Sequence, residues 1–506
     1  MNTNIYKLIL AYKRKRKKYG PFYIHHKQKE ILKNISLSTY EINYIKKFYP
    51  EFNLKDLKSF LKAYYFNKYF NFFLILPSFK NSIRLNIHPK FIKFHIKKFY
   101  YVILFIHKFK VLMDFLECNI LAIFIILKTL YRSKKTKEPK EIIYFHNLKQ
   151  NNTISSDIKS FLEFCISDSR INFAKTKSIF ASNFTNKNVN KKDLIRGDFL
   201  NKKNIFNFFM QYLKLNFMFI YCFFNKKLDF SFLFKELFKK VIVDNSLHDI
   251  KNCKIIFDNS YMGFTPFWSR GFNRENFLIF YSTNFGYNFD KKSKSFLFPL
   301  EYENMNWDNL YVWDQLQKQT LINFNTHSNF KIIGKLNFLD NGEKVNLSLK
   351  HFNIIIFDIA PKNLITIMSG LNLGDNFYTS KYMINFLNNI VSFNSENIRF
   401  YIKQKRKIKT ISKSYTNSLN KLIMQKKITL LNDEITPERI IEKADLVISP
   451  VYSTPSLIAK LLNIPSLYFD PNNKVKKKYK FNRDVPILTD QELHLFITKI
   501  YKKWRT

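Results

Sequence analysis

Apolar and polar positions change rhythm along this chain. From residue 353 onward, short, largely apolar runs at 353–357, 398–402, 428–431, 445–448 and 466–469 alternate with amphipathic stretches at 380–390, 409–424, 437–443 and 455–462, and 491–504 closes as a helix. Continuous apolar runs of strand length, separated by helical periodicity, predict a parallel sheet covered on both faces. The same signature is sparser upstream. Runs at 141–145, 254–257, 277–281 and 310–313 predict further buried strands, 154–166 and 205–238 read as helical, and the Asn/Lys-rich segment 182–192 reads as a loop. Before residue 140 the pattern is helical and basic, broken at Gly20-Pro21, Pro50, Pro77 and Pro89. Within it, apolar runs at 101–106 and 120–127 flank a segment carrying His107, Lys108, Lys110, Asp114 and Glu117. Neither run approaches the roughly 20 residues needed to cross a bilayer. The first expectation is a helix buried in a soluble core, and the second a helix lying in a membrane interface. Asp114 and Glu117, one turn apart, share a face. These changes predict a basic helical region over 1–140, an α/β domain over 141–344 and a second over 345–506, with the charged stretch 134–140 as a linker.

The stretch 448–471, ISPVYSTPSLIAKLLNIPSLYFDP, reads as loop, helix, strand. Thr454 stands where an N-cap belongs and Pro455 at the first helical position, where a missing N–H leaves nothing unpaired. Asn463 and Pro465 stop the helix, and a strand over 466–469 ends at Asp470. Such a unit aims a helix N-terminus at the carboxyl edge of the sheet, where open α/β sheets hold ligands and where spare N–H groups suit phosphate. Ser453, Thr454 and Ser456 are the candidate phosphate ligands, although a cap alone accounts for Thr454. Lys403, Lys405 and Arg406 follow another predicted strand at the same edge and bring positive charge. Asp358 and Asp470 each end a strand close to a proline, as acceptors for a ribose or sugar hydroxyl or as caps of a turn. Asp258, in the preceding domain, is the candidate general base, with Asp168 and His146 as rivals.

Charge adds a partner. The 84 Lys and Arg against 38 Asp and Glu give a formal net charge of +46, which favours nucleic acid, anionic lipid or phosphate-rich substrates without choosing among them. The 56 Phe, 29 Tyr and only 9 Gly point to A/T-rich codons, so composition alone carries little function. A cluster over Lys13–Lys18 suits a membrane surface or nucleic acid. Cys118, Cys165, Cys222 and Cys253 lie far apart, without zinc spacing, which sets a reducing cytoplasmic location as the default. There is no Gly-rich dinucleotide loop, no Walker lysine, no His-Glu-x-x-His and no Asp-x-Asp pair, so neither a metal nor a cofactor is expected.

The residues Ser449, Pro450, Tyr452, Ser453 and Thr454, followed by Phe469, Asp470 and Pro471, resemble bacterial polysaccharide-biosynthesis proteins named for a Pro-Phe-Thr-Ser (PFTS) motif. Tyr452 stands for the Phe, and the hydroxyl pair reads Ser-Thr. Val312-Trp313-Asp314, Ile333-Gly334, Phe357-Asp358-Ile359-Ala360-Pro361 and Lys403-Gln404-Lys405-Arg406 extend the resemblance over roughly the last two hundred residues. It implies a GT-B type α/β architecture, two Rossmann-like domains facing a cleft after the helical basic region. It also implies a glycosyltransferase of surface polysaccharide assembly, using a nucleotide-sugar donor and a glycan or lipid-linked glycan acceptor. Donor phosphate would meet Ser453, Thr454 and Ser456, charge would be neutralised by Lys403, Lys405 and Arg406, and Asp358 or Asp470 would take hydroxyls. The place of work would be cytoplasmic, peripheral on the inner face of the plasma membrane. The rival classes are a nucleic-acid-binding protein and a non-catalytic membrane-associated scaffold.

Overall fold

The computed structural model describes residues 100–132, 141–146, 179–182, 190–224, 233–258, 265–280, 307–322, 327–336, 345–359, 379–393, 395–404, 411–432, 435–475 and 483–506, with 46, 165, 170, 171 and 361. Two parallel sheets organise these residues. The first has seven strands: β1 (Glu141–Phe145), β2 (Ile179–Ser182), β3 (Asn190–Lys191), β4 (Asn252–Asp258), β5 (Arg274–Ile279), β6 (Asn309–Val312) and β7 (Asn329–Ile332), in the order β3-β2-β1-β4-β5-β6-β7. Helices α1 (Tyr100–Leu130), α2 (Ile205–Phe224), α3 (Phe234–Ser246) and α4 (Gln315–Ile322) accompany it.

The second sheet has six strands: β8 (Phe352–Phe357), β9 (Ile398–Lys403), β10 (Thr429–Leu430), β11 (Leu446–Pro450), β12 (Ser466–Phe469) and β13 (Ile487–Leu488). Their order is β10-β9-β8-β11-β12-β13. Between them run α5 (Ser380–Val391), α6 (Lys413–Met424), α7 (Pro437–Ile441) and α8 (Thr454–Leu461), and α9 (Asp490–Arg505) follows. Both sheets therefore run outward from their first strand in one direction and then back across it, the doubly wound Rossmann order. Two such sheets in one chain make the GT-B type of architecture. All strands of each sheet pair parallel, and β8, β11 and β12 are buried at every position, which is why their sequences are apolar apart from Asn353, Ser449 and Ser466.

One buried cluster contains residues of both sheets, among them Ile255, Leu278 and Trp313 with Ile355, Phe357 and Val447. A forked ion pair adds to it: Arg483, just before β13, donates from Nε to Asp314 Oδ2 at 2.5 Å and from Nη2 to Oδ1 at 3.2 Å. Asp314, just after β6, also accepts the Gln317 N–H at 2.7 Å, so it starts α4 and ties the two sheets together at once.

Several expectations need correction. The stretch 205–238 is not one helix: α2 covers Ile205–Phe224, Leu233 is a turn residue and α3 begins at Phe234. The segment read as a loop over 182–192 carries the end of β2 and all of β3. Short β7 and β13 carried no periodicity to betray them, because two to four residues at a sheet margin cannot establish a period. The two apolar runs over 101–127 belong to one 31-residue helix, α1, and it is not simply buried: Val111, Cys118, Ala122, Ile125 and Thr129 face inward, whereas Leu112, Leu116, Ile120 and Phe124 are exposed. Asp114 and Glu117 do share a face, where both meet Lys235 Nζ at 3.5 and 2.7 Å. The basic cluster 13–18, the helix expected at 154–166 apart from Cys165, and Asp168 lie outside the described residues.

Candidate functional site

The carboxyl edge of the second sheet gathers most of the candidates. Register fixes their order: Phe357 pairs with Lys403, Ile356 with Ile448, Pro450 with Phe469, and Phe469 with Leu488. Lys403, Asp358, the turn after β11 and Asp470 therefore stand in a row, on strands about 4.8 Å apart. The centre of the row, between β8 and β11, is the point where the strand order reverses, the usual ligand position of a doubly wound sheet.

The turn after β11 is the least ordinary piece of backbone there. Its Ser453 N–H donates to the Pro450 carbonyl at 3.1 Å, and Tyr452, inside the turn, has φ of 62°. A bulky aromatic residue in the left-handed region carries a steric cost of order 1–3 kcal/mol, which the surroundings must hold in place. Tyr452 is 3% exposed and its ring lies 5.8 Å from that of Tyr468 on β12, so packing provides that hold.

This turn moves the helix start by one residue from the sequence expectation. Ser453, with φ −81° and ψ 146°, is the N-cap of α8; Thr454 is the first helical residue and Pro455 the second. The cap makes no side-chain hydrogen bond. Ser453 Oγ is buried, with the residue 8% exposed, and has no hydrogen-bond partner among the described residues. A buried hydroxyl without a partner is a standing cost unless something else meets it. With Pro455 lacking an N–H, the free amides of the first turn belong to Thr454 and Ser456.

The Ser456 side chain is engaged elsewhere. Its hydroxyl lies 2.5 Å from Ser449 Oγ and donates to the Leu467 carbonyl at 2.8 Å, while Ser466 Oγ donates to the Ser456 carbonyl at 2.9 Å. These hydroxyls fasten α8 onto β11 and β12 from inside the core. The side chain of Ser456 therefore points away from the edge, contrary to the expectation of a ligand hydroxyl.

Asp358 and Asp470 both turn inward. Asp358, 3% exposed, accepts from the Tyr415 hydroxyl at 2.6 Å. Burial, reinforced by that carboxylate, pushes the Tyr415 phenol well above its ordinary range and keeps it a donor. Asp470, 1% exposed, accepts the Val475 N–H at 2.7 Å through Oδ2, and its own N–H donates to the Leu488 carbonyl at 2.8 Å. Asp470 thus caps the turn after β12. Lys403 closes β9 as a buried residue; Lys405 and Arg406 lie outside the described residues.

The carboxyl edge of the first sheet is chemically different. Phe145 pairs with Ile256, so His146 after β1 and Asp258 at the end of β4 stand on adjacent strands. The Asp258 side chain lies outside the described atoms. His146 is buried, its N–H donates to the Ile256 carbonyl at 2.9 Å, and its ring packs 4.7 Å from Trp268 and 5.2 Å from Phe257. Burial, with Lys239 adding to it, pulls the imidazole down to about 3, so His146 is neutral near pH 7. In the sequence His146 stands only as a rival to Asp258, because nothing local to it signals its aromatic enclosure.

Among the described residues no helix is long and apolar enough to cross a membrane, and no group of His, Cys, Asp and Glu side chains has the makings of a metal site. Among solved structures the chain is similar to TarM, at 15% identity, TM-score 0.28 and 52% coverage of this chain. It spans about half of TarM, 51% of that chain. It is also similar to the wall teichoic acid polymerase TagF, at 11% identity and TM-score 0.37, covering 78% of this chain and 92% of TagF. No curated protein sequence matches it significantly. The model of the polysaccharide biosynthesis PFTS motif proteins matches residues 214–496, more than half of the chain and starting well upstream of the region in which the resemblance was visible by eye. The turn with Tyr452, Ser453 and Thr454 and the strand ending in Asp470 fall inside that match, and the chain belongs to the polysaccharide biosynthesis PFTS motif family.

Proposed function

We propose that the protein is a glycosyltransferase of surface polysaccharide assembly, moving a sugar from a nucleotide-sugar donor to a glycan or lipid-linked glycan acceptor. Family membership supplies the polysaccharide context. The observation that carries the site is Ser453: a buried hydroxyl without a partner, at the start of a helix, on the switch point of a doubly wound sheet. A donor phosphate at that position would accept from Ser453 Oγ and from the Thr454 and Ser456 amides, with Lys403 and, two and three residues on in the sequence, Lys405 and Arg406 offsetting its charge. Asp358 and Asp470 then act as positioning residues that shape the edge.

In this reading residues 345–506 hold the donor and residues 141–344 the acceptor. The acceptor hydroxyl oxygen attacks the anomeric carbon, the bond from that carbon to the phosphate oxygen breaks, and the nucleotide leaves with the bonding pair. Fixed N–H groups and cations stabilise that leaving charge. Asp258, at the carboxyl end of β4, is our candidate to take the acceptor proton; buried neutral His146 beside it is the alternative. The place of work is the cytoplasmic face of the plasma membrane, where lipid-linked acceptors and anionic headgroups meet the excess of Lys and Arg.

Titration calorimetry with nucleoside mono- and diphosphates tests the reading. The unmutated protein should bind a nucleoside diphosphate, and Ser453→Ala should weaken binding at least about tenfold, equivalent to roughly 1.4 kcal/mol, with a melting temperature close to that of the parent. Absence of nucleotide binding by the parent, or equal binding by Ser453→Ala, would overturn it.

A further inference from the structure

Two helices of this protein turn large apolar side chains outward along their described faces. On α1, Phe109, Leu116, Ile120, Ile123 and Leu127 are 45–69% exposed. On α2, Phe206, Phe209, Phe217, Ile220 and Phe224 are 40–76% exposed. Within each helix these residues follow one another at intervals of three, four, seven or eight, so each set is a single stripe. The opposite faces are buried: Val111, Cys118 and Ala122 of α1 and Phe208, Leu215 and Met218 of α2 join one apolar cluster with Phe234, Leu237 and Phe238 of α3. The helices also pack side by side, with Phe115 stacked on Phe219 at 4.2 Å and the Tyr212 hydroxyl bonded to Asn119. As both inner faces rest on α3, both stripes point away from it and form one continuous outer surface.

Exposed cations border this surface. Lys214 is the sole charged residue of α2, and it is exposed. The pairings of Phe115 with Phe219 and Asn119 with Tyr212 make the helices antiparallel, so the end of α1 lies beside the start of α2. Exposed Arg196, Lys202 and Lys203 collect at that end, Arg196 3.5 Å from Asp193 and Lys203 3.9 Å from Asp249. The acidic residues of α1, Asp114 and Glu117, are paired with Lys235, and Glu117, one turn before Ile120 and two before Phe124, borders the stripe. Residues 109–130 of α1 span about 30 Å at 1.5 Å per residue, and neither helix is suited to cross a bilayer. An apolar plane of that length with cations at its rim matches a helix pair lying in the headgroup layer of an anionic membrane.

We infer that the outer face of the α1–α2 pair is the membrane-docking surface of this protein, embedding Ile120, Ile123, Phe124, Phe217 and Ile220 in an anionic lipid surface. The inference deepens the proposed function and rests on it for the membrane as the place of work. Its physical basis differs from that of a basic tail: the contact is apolar, and the cations only select for anionic headgroups.

The test is flotation of the full chain with vesicles of phosphatidylcholine, with and without phosphatidylglycerol, in parallel with nucleotide titration. The parent should float with the anionic vesicles. Ile120→Glu with Phe124→Glu, and separately Phe217→Glu, should reduce the bound fraction at least tenfold, because these side chains face outward and leave the α3 contact intact. Leu349→Glu, at an exposed leucine elsewhere in the chain, should float as the parent does. Nucleotide affinity should be the same in all of them. Undiminished flotation of the outward-face variants overturns the inference, as does a parent that is dimeric without lipid and is split by the same substitutions, since a second copy would then be the occupant. Flotation as expected with no nucleotide binding would overturn the transferase reading and leave the docking surface standing.

Discussion

The two carboxyl edges of this protein are built on the same sheet order yet furnished differently. The edge of the second sheet is polar and strained: a turn with Tyr452 at positive φ, a helix start with an unpartnered Ser453 hydroxyl, and a buried Lys403. The described edge of the first sheet is aromatic: His146 sits among Phe257, Trp268 and Tyr144, with ring centroids 4.7–6.1 Å away. A shared topology therefore sets where a ligand would lie, while side chains set what it could be. Phosphate fits the first description. A buried, neutral, water-poor cluster fits the second, and disfavours a charged group beside it.

The largest test of the contrast concerns the aromatic wall. Trp268 is fully buried and touches Tyr144, His146 and Phe257. Trp268→Ala should cost about 3–5 kcal/mol in urea unfolding through the cavity it leaves. Nucleotide binding at the second sheet should survive in the folded fraction; its loss would mean that the edges are coupled, through the shared cluster or through Asp314 and Arg483.

A second test uses pH. Because the native imidazole of His146 titrates at about 3 and an unfolded one near 6.5, the unfolded chain takes up a proton between those values while the native protein does not. Stability should therefore fall as pH drops from about 6.5 towards 3, by up to roughly 1.4 kcal/mol per unit from this group. His146→Leu should flatten that part of the profile. An unchanged slope would mean that His146 is solvated and chargeable, and so a stronger rival to Asp258 as the base.

The smallest expected effect lies at the polar edge. Tyr415→Phe removes the donor that meets Asp358 Oδ2 and should cost about 1–3 kcal/mol, measured by thermal melting, because it leaves a buried carboxylate short of a partner. If Asp358 only shapes the edge, nucleotide affinity should fall by less than in Ser453→Ala. A larger fall would move Asp358 from positioning to direct contact.

Much of the second sheet was readable in the chain because parallel strands buried on both faces must be apolar at nearly every position, and β8, β11 and β12 are. The loop–helix–strand unit was readable for a related reason, since Pro455, Asn463 and Pro465 punctuate it locally. The part that required the tertiary structure begins at single residues. Tyr452 adopts φ of 62° because it packs on Tyr468, and this shifts the cap from Thr454 to Ser453. Ser456 bonds inward because β11 and β12 bring Ser449 and the Leu467 carbonyl within reach. Helix α1 is the clearest case: a segment apolar around most of its circumference has no periodicity to say which face is inside. The sequence determined that α1 would be helical and apolar; contact with α2 and α3 decided which residues are covered and which remain exposed.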